Sequence, residues 1–372
     1  MNLYKKQLIE QLQNAVLQAV NDNFERYKYC EFVKKRRDEA QTICIYGAGK
    51  FYNDYSRSIG RYDYICDGNP QKWEKKYDGR LCISPQQLYE IESPVVFVML
   101  GDYKDIVDEL RGRHIESYFW GDLYLNVYDE HYTSSWFQQN VQEMLDTVDI
   151  FEDDWSKQVY VNTICNRIAP QYSYMSFHDM EEKGEYFGTG IFSYENDECY
   201  VDAGAYDGDS IKSFIKQVNG NFQRIYGFEM DPDNYNELKK DPSIINDDRI
   251  SVFQKGISCQ AGNVGIFHNG TGSHIKECSE GNISLVSLDD FLGMERITMI
   301  KMDIEGAERD GLKGARKIIY RQHPKLAISI YHKLDDMWKI PQYIKQIYPG
   351  YKLALRHHTA VAWDTDCYAY TE

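Results

Sequence analysis

The chain has 372 residues, with 42 basic against 58 acidic side chains and a net charge of −16. That is long enough for two or three packed domains, and with no basic block to track a phosphate backbone it excludes a general affinity for nucleic acid or anionic membrane. The longest apolar run, Val95 to Leu100, is too short to cross a bilayer, the amino terminus MNLYKKQLIEQLQ lacks the apolar core of a signal peptide, and nine scattered cysteines form no C-x-x-C pair or zinc spacing. A cytoplasmic protein with reduced thiols and no membrane span is expected.

Residues 1–40 are expected to be helical. Leu8, Ile9, Leu12, Val16, Ala19, Val20, Phe24 and Tyr27 recur at spacings of three and four and make one apolar stripe. Packing against the next domain is its expected use, with a dimer contact as the alternative, so homo-oligomerisation stays open. Over 41–122 strands alternate with helices. A strand through Ile45 runs into Gly47-Ala48-Gly49, and a helix follows through Arg57. A second strand, Tyr62 to Cys66, ends at Asp67. Leu81-Cys82-Ile83 leads into a capped helix start at Ser84-Pro85. Val95 to Leu100 is a buried strand, Tyr103 to Arg111 a helix, and Ser117 to Trp120 a last strand. The pattern predicts a small parallel, Rossmann-like sheet. Gly47, Gly49 and Asp67 match a dinucleotide fingerprint in part, but Tyr52 stands where the third glycine belongs and crowds the helix–strand contact.

Residues 123–184 read as a helical connector, with helices Ser134 to Asp149 and Asp154 to Ala169. The second α/β domain, 185–372, opens on a loop at Tyr186-Phe187-Gly188-Thr189-Gly190. A buried strand, Cys199 to Asp202, then a glycine turn and a helix from Ile211 follow. The next strand, Arg224 to Phe228, ends at Glu229, and a third runs from Ile250 to Gln254. Gly262 to Phe267 and Ile283 to Val286 are extra extended segments. Thr298 to Asp303 is the fourth core strand, with a helix to Tyr320 after it, and Leu326 to His332 the fifth. Tyr351 to Leu355 and Ala362 to Tyr370 form a closing antiparallel hairpin. This is a doubly wound sheet whose ligand sits beyond the carboxyl ends of its strands.

The turn after the first strand carries Asp202, Asp207 and Asp209, which repel a pyrophosphate and tolerate a cationic ligand such as the sulfonium cofactor S-adenosylmethionine. The expected cofactor site takes Asp202, near the cofactor's ammonium group, with Gly204, Ala205 and Asp207 from this turn. Glu229, for the ribose hydroxyls, and Met230 come from the second strand end, and Gly256, near the adenine edge, from the third.

Val201-Asp202-Ala203-Gly204-Ala205, Phe228-Glu229, Ser287-Leu288-Asp289, Ile300-Lys301-Met302-Asp303-Ile304-Glu305-Gly306-Ala307-Glu308 and Tyr331-His332 together resemble the FkbM family of methyltransferases, over about residues 185–372. The resemblance implies a class I methyltransferase fold and methyl transfer to oxygen, commonly on sugars or other hydroxylated metabolites. The 41–122 segment resembles the nucleotide-sugar-binding amino-terminal domains of some bacterial sugar-modifying enzymes, and equally degenerate copies that bind nothing. A small-molecule or glycan acceptor is expected, with a nucleotide sugar among the candidates.

A sugar hydroxyl needs a base opposite the sulfonium. Asp303 and His332 end neighbouring strands where the methyl group should point, with Glu305 just beyond, so one of the first two is expected to be the base and the other to orient the acceptor. The same three residues suit a magnesium-like ion, but nothing in their spacing demands one, and no metal is expected. Glu308 is read as a local cap or pair, and Lys301, inside a strand, as the partner of an acid. Two alternatives stand beside the methyltransferase reading: a nicotinamide oxidoreductase built on the first domain, and a nucleotide-sugar-binding subunit without turnover.

Overall fold

The computed structural model describes residues 3–21, 26–100, 103–123, 132–169, 172–269, 272–277 and 283–371. The helices Leu3–Asn21 and Arg26–Glu39 open the chain. The stripe of the first buries Leu8, Leu12, Ala15, Val16 and Ala19. They join Phe137 and Met144 of helix Ser134–Thr147 and Val159, Tyr160 and Ile164 of helix Asp154–Ile168 in one cluster. A buried hydrogen bond from Gln11 Nε2 to Asn162 Oδ1 (2.9 Å) fixes the register. The stripe therefore serves the connector helices. Phe24 lies outside the described residues. Leu12 is fully buried here, so Leu12→Ala should cost about 2–5 kcal/mol, read as a fall in the denaturation midpoint.

The first sheet holds β1 (Ile43–Tyr46), β2 (Tyr64–Cys66), β3 (Lys76–Tyr77), β4 (Arg80–Ile83), β5 (Val95–Val98) and β6 (Glu116–Phe119), in the order β3-β4-β2-β1-β5-β6. All neighbours are parallel except β3 and β4. β1 and β5 are buried on both faces, as central strands of a parallel sheet are. The short β3–β4 hairpin was not expected; it turns through Asp78 and Gly79, both at positive φ.

Gly47, Asp67 and Tyr52 have internal work, whereas a Cβ on Gly49 would meet nothing within 4 Å. A Cβ on Gly47 would stand 2.8 Å from Leu100 Cδ2 and from Met99 O, so the glycine makes room for protein. Asp67 accepts from Ala48 N, Asn69 N and Lys72 Nζ, each at 2.8 Å. Tyr52 is buried in the core, its hydroxyl 2.8 Å from Tyr62 Oη and 3.0 Å from Asp78 Oδ2.

The second large sheet contains β7 (Cys199–Ala203), β8 (Arg224–Glu229) and β9 (Ile250–Gln254). A separate four-stranded sheet follows: β10 (Gly256–Ile257), β11 (Gly262–Asn269), β12 (Gly272–Glu277) and β13 (Ile283–Val286), ordered β10-β13-β11-β12. The chain then returns with β14 (Met299–Met302), β15 (Lys325–Ser329), β16 (Lys352–His357) and β17 (Thr365–Tyr370). The seven strands run β16-β17-β15-β14-β7-β8-β9, with β17 antiparallel to both its neighbours. Strand order reverses between β7 and β14, which places the ligand crevice beyond the carboxyl ends of that pair. One long helix was expected after β14. The structure has two, Glu308–Gly314 and Arg316–Gln322, broken at Ala315.

The turn between β16 and β17 ties the two sheets together. Val361 is buried within the first sheet's core, and the Trp363 ring stands edge-on to Trp120 at 5.4 Å. Among the described residues no helix is long and apolar enough to cross a membrane. The cysteines with described side chains are free thiols, all buried but Cys259.

Candidate active site

The turn after β7 is shaped by what lies behind it. Gly204 has φ +82°, and a Cβ there would stand 1.8 Å from Asp303 O, so only glycine lets this turn lie against the end of β14. The amides of Gly204 and Ala205 both donate to Phe228 O, at 2.9 and 3.0 Å. Lys301 Nζ donates to Gly204 O at 2.6 Å and stands 3.2 Å from Asp202 Oδ1.

Several expected cofactor residues therefore face inward. Asp202 does not reach the crevice: it is fully buried, and its Oδ2 accepts from Ser210 Oγ at 2.5 Å. This corrects its placement at a cofactor's ammonium group, and shows Lys301 paired with an acid as expected. Ala205 is a buried core residue of the apolar cluster that also holds Ile211 and Ile225. Gly256 is buried against Leu285 and Met230. Gly204, Asp207 and Met230 are half-buried, and Tyr206 between them is exposed at positive φ.

Glu229 ends β8 at the crevice, nearly buried. Its Oε2 accepts from Tyr206 N (2.9 Å) and its Oε1 from Asp231 N (2.7 Å). The carboxylate thus links the β7 turn to the β8 turn. Burial raises its pKa, and these two amides pull it back.

Asp303, at the end of β14, is the centre of a second group of polar side chains. Tyr186 donates its hydroxyl to Asp303 Oδ2 at 2.9 Å, Tyr331 donates to Oδ1 at 3.4 Å, and His332 Nε2 stands 3.5 Å from Oδ1. Tyr186 comes from the loop ahead of β7, held there by its amide bonding to Tyr368 Oη at 3.0 Å. Sequence reasoning placed a loop there and missed the residue, whose contact spans 117 positions and leaves no local signal. The ring of Tyr331 lies 4.1 Å from that of His332.

His332 touches three acids: Asp303 and Glu305 Oε2 at 3.5 Å from Nε2, and Glu308 Oε1 at 3.2 Å from Nδ1. Burial pulls its pKa down, but the charges of Glu308, Glu305 and Asp303 outweigh burial and leave it well above the ordinary histidine value. Glu308 Oε1 also accepts from Ile304 N (2.8 Å) and Gly306 N (3.3 Å), the local pairing expected of it. Asp303, His332 and Glu305 are therefore brought together as the sequence suggested.

Further acids lie nearby that the sequence did not point out. Burial, then Glu185 and Asp303, push Asp364 up to about 7. Burial and Glu185 raise Asp366 well above its ordinary value, although its Oδ1 accepts from Ser329 Oγ at 2.8 Å. Tyr186, Tyr206, Glu305 and Asp364 all have positive φ, a concentration of strained backbone around one set of strand ends. Asp289 of the Ser287-Leu288-Asp289 motif is a cap: it accepts from Lys317 N and Ile318 N, both at 2.9 Å, at the start of the second helix after β14.

A seven-stranded sheet of this order, with one antiparallel strand near its edge and a glycine turn at the switch point, defines a class I methyltransferase fold. Residues 202–353 match the family model described as the methyltransferase FkbM domain. The crystal structure of a methyltransferase FkbM from Methylobacillus flagellatus KT is 24% identical and covers 96% of this chain and 99% of that one at a TM-score of 0.66. That likeness of fold includes the first sheet as well as the second. An rRNA methylase from Streptococcus thermophilus (14% identity, 48% of this chain and 89% of that one) and Aeropyrum pernix fibrillarin with bound S-adenosyl-L-methionine (11% identity, 48% and 70%) both score 0.32, too slight to bear on function. No curated protein matches the chain in sequence.

Proposed function

We propose that the chain is an S-adenosylmethionine-dependent O-methyltransferase acting on a hydroxyl of a sugar, glycan precursor or related small metabolite. The observation that carries this reading is Asp303, a carboxylate at the switch point, half-buried and held by Tyr186 and Tyr331. The turn residues suit the cofactor. Asp207 and Glu229 are acidic, and the nearby cation Lys301 is committed to Asp202 and Gly204 O, which leaves the turn favourable to a sulfonium and hostile to a pyrophosphate. Each oxygen of Glu229 takes one amide, and a carboxylate offers about four acceptor sites, so acceptor capacity remains for two ribose hydroxyls. The cofactor, when bound, supplies an electrophilic methyl group.

The chain's own residues act on the acceptor. Tyr186 and Tyr331 fix Asp303 in one orientation, which lowers the cost of aligning an acceptor oxygen. Asp303 takes the hydroxyl proton as the oxygen attacks, and His332, on the next strand end, orients the acceptor. The half-buried acids around Asp303, namely Glu185 and Asp364, offer further hydrogen-bonding groups, as a polyhydroxylated acceptor requires. Of the fingerprint residues of the first sheet, Gly47, Asp67 and Tyr52 are engaged within the protein and only Gly49 faces open space, which is too little to carry the nicotinamide alternative.

The test is calorimetric titration of the purified protein with S-adenosylhomocysteine, with Glu229→Ala alongside. Saturable one-site binding that the variant loses is the expected result. Absence of binding to folded protein free of co-purified cofactor would overturn the reading.

A further inference from the structure

The His332 cluster holds more negative charge than one imidazole balances. Asp303, Glu308 and His332 each bring one ligand atom to within 4.8 Å of the others. Glu305 adds a third carboxylate from the solvent side, 3.5 Å from His332 Nε2. Of the neighbouring cations, Arg309 pairs with Asp335 and Asp336, Lys301 with Asp202, and Lys333 donates to Gly306 O.

Two details separate this group from an ordinary ion pair. His332 Nε2 stands 3.5 Å from both Asp303 Oδ1 and Glu305 Oε2. A charge-assisted hydrogen bond is shorter, about 2.7–2.9 Å. Two ligands that each sit about 2.0–2.2 Å from a shared ion are separated by roughly 3–3.5 Å. Independently, Glu308 is fully buried and only half used. Its Oε1 takes two amides and faces His332 Nδ1, while its Oε2 has no hydrogen-bond partner. A buried, unpartnered carboxylate oxygen is costly unless something occupies it.

We propose that Asp303, Glu308 and His332 form a divalent cation site beside the acceptor, closed on its solvent side by Glu305. One imidazole with carboxylates suits manganese or zinc better than calcium. The site deepens the methyltransferase reading and rests on it. An ion here polarises the acceptor hydroxyl and lowers its pKa, so that Asp303 exchanges the role of base given above for that of ligand and the proton leaves to solvent or to a neighbouring carboxylate. The bond made is oxygen to methyl and the bond broken is sulfur to methyl. No oxidant or reductant enters.

The experiment is a titration of chelator-treated, full-length protein with Mn²⁺, following the free-ion signal by electron paramagnetic resonance. The same preparation is titrated with S-adenosylhomocysteine. One saturable Mn²⁺ site is expected, weakened at least about tenfold in His332→Ala and Glu308→Gln. Glu305→Gln, at an exposed position that folding does not need, should weaken it less. Protein that binds S-adenosylhomocysteine but no Mn²⁺, or variants that bind Mn²⁺ as the wild type does, would overturn the site. Protein that binds Mn²⁺ but not S-adenosylhomocysteine would keep the ion site and remove the methyltransferase reading.

Discussion

Asp303→Asn should lower turnover by about 10²–10⁴-fold while S-adenosylhomocysteine binding stays near the wild-type value. Asparagine matches aspartate in shape, so it keeps an oxygen to accept from Tyr186, and the backbone bond from Asp303 N to Ala203 O is untouched. What it loses is charge. A neutral amide neither takes a proton from an acceptor nor balances a cation at His332. The expected cofactor contacts lie on the other side of the switch point, at Glu229 on the end of β8, two strands from β14. Binding and turnover should therefore separate. Single-turnover methyl transfer measured beside calorimetry checks this, and an Asp303→Asn protein with an unchanged rate would show that the acceptor is activated elsewhere.

Much of this arrangement is legible in the residues alone, for local reasons. The helices Ser134–Thr147 and Asp154–Ile168 carry amino-terminal caps at Thr133 and Asp153, and expectation and structure differ only by one or two residues at their carboxyl ends. Strands buried on both faces, such as β1 and β5, read as unbroken apolar runs. The strand ends of a doubly wound sheet then bring Asp303 and His332 together from neighbouring strands. Other features are decided by contacts that no local pattern carries. Gly204 reads as a ligand-facing glycine, but Asp303 O requires it first. Asp202 ends its strand as a cofactor acid would, and its side-chain direction depends on Lys301, 99 positions later in sequence and adjacent in the sheet. Tyr186 reaches Asp303 from an irregular loop, where neither periodicity nor motif marks it.

Lys301→Met should be the most destabilising of these single changes, because of what it leaves behind. Lys301 and Asp202 are paired registers on β14 and β7, both buried in the middle of the sheet. Burial alone would lower the lysine's pKa, but Asp202 and Asp303 outweigh it and hold the ammonium charged. Methionine fills a similar volume, so the packing loss is small. The cost is a carboxylate with only Ser210 Oγ and the far side of the sheet to answer its charge. Removing one partner of a buried pair typically costs about 3–5 kcal/mol. At about 2–4 °C per kcal/mol for a domain of this size, the thermal midpoint should fall by roughly 6–20 °C. The double change Asp202→Asn with Lys301→Met tests the cause. Asparagine still accepts from Ser210 and carries no charge, so the double variant should recover a large part of the loss. If it is no more stable than Lys301→Met alone, the lysine's worth lies in its 2.6 Å bond to Gly204 O, and the ion pair with Asp202 contributes little to holding the β7 turn.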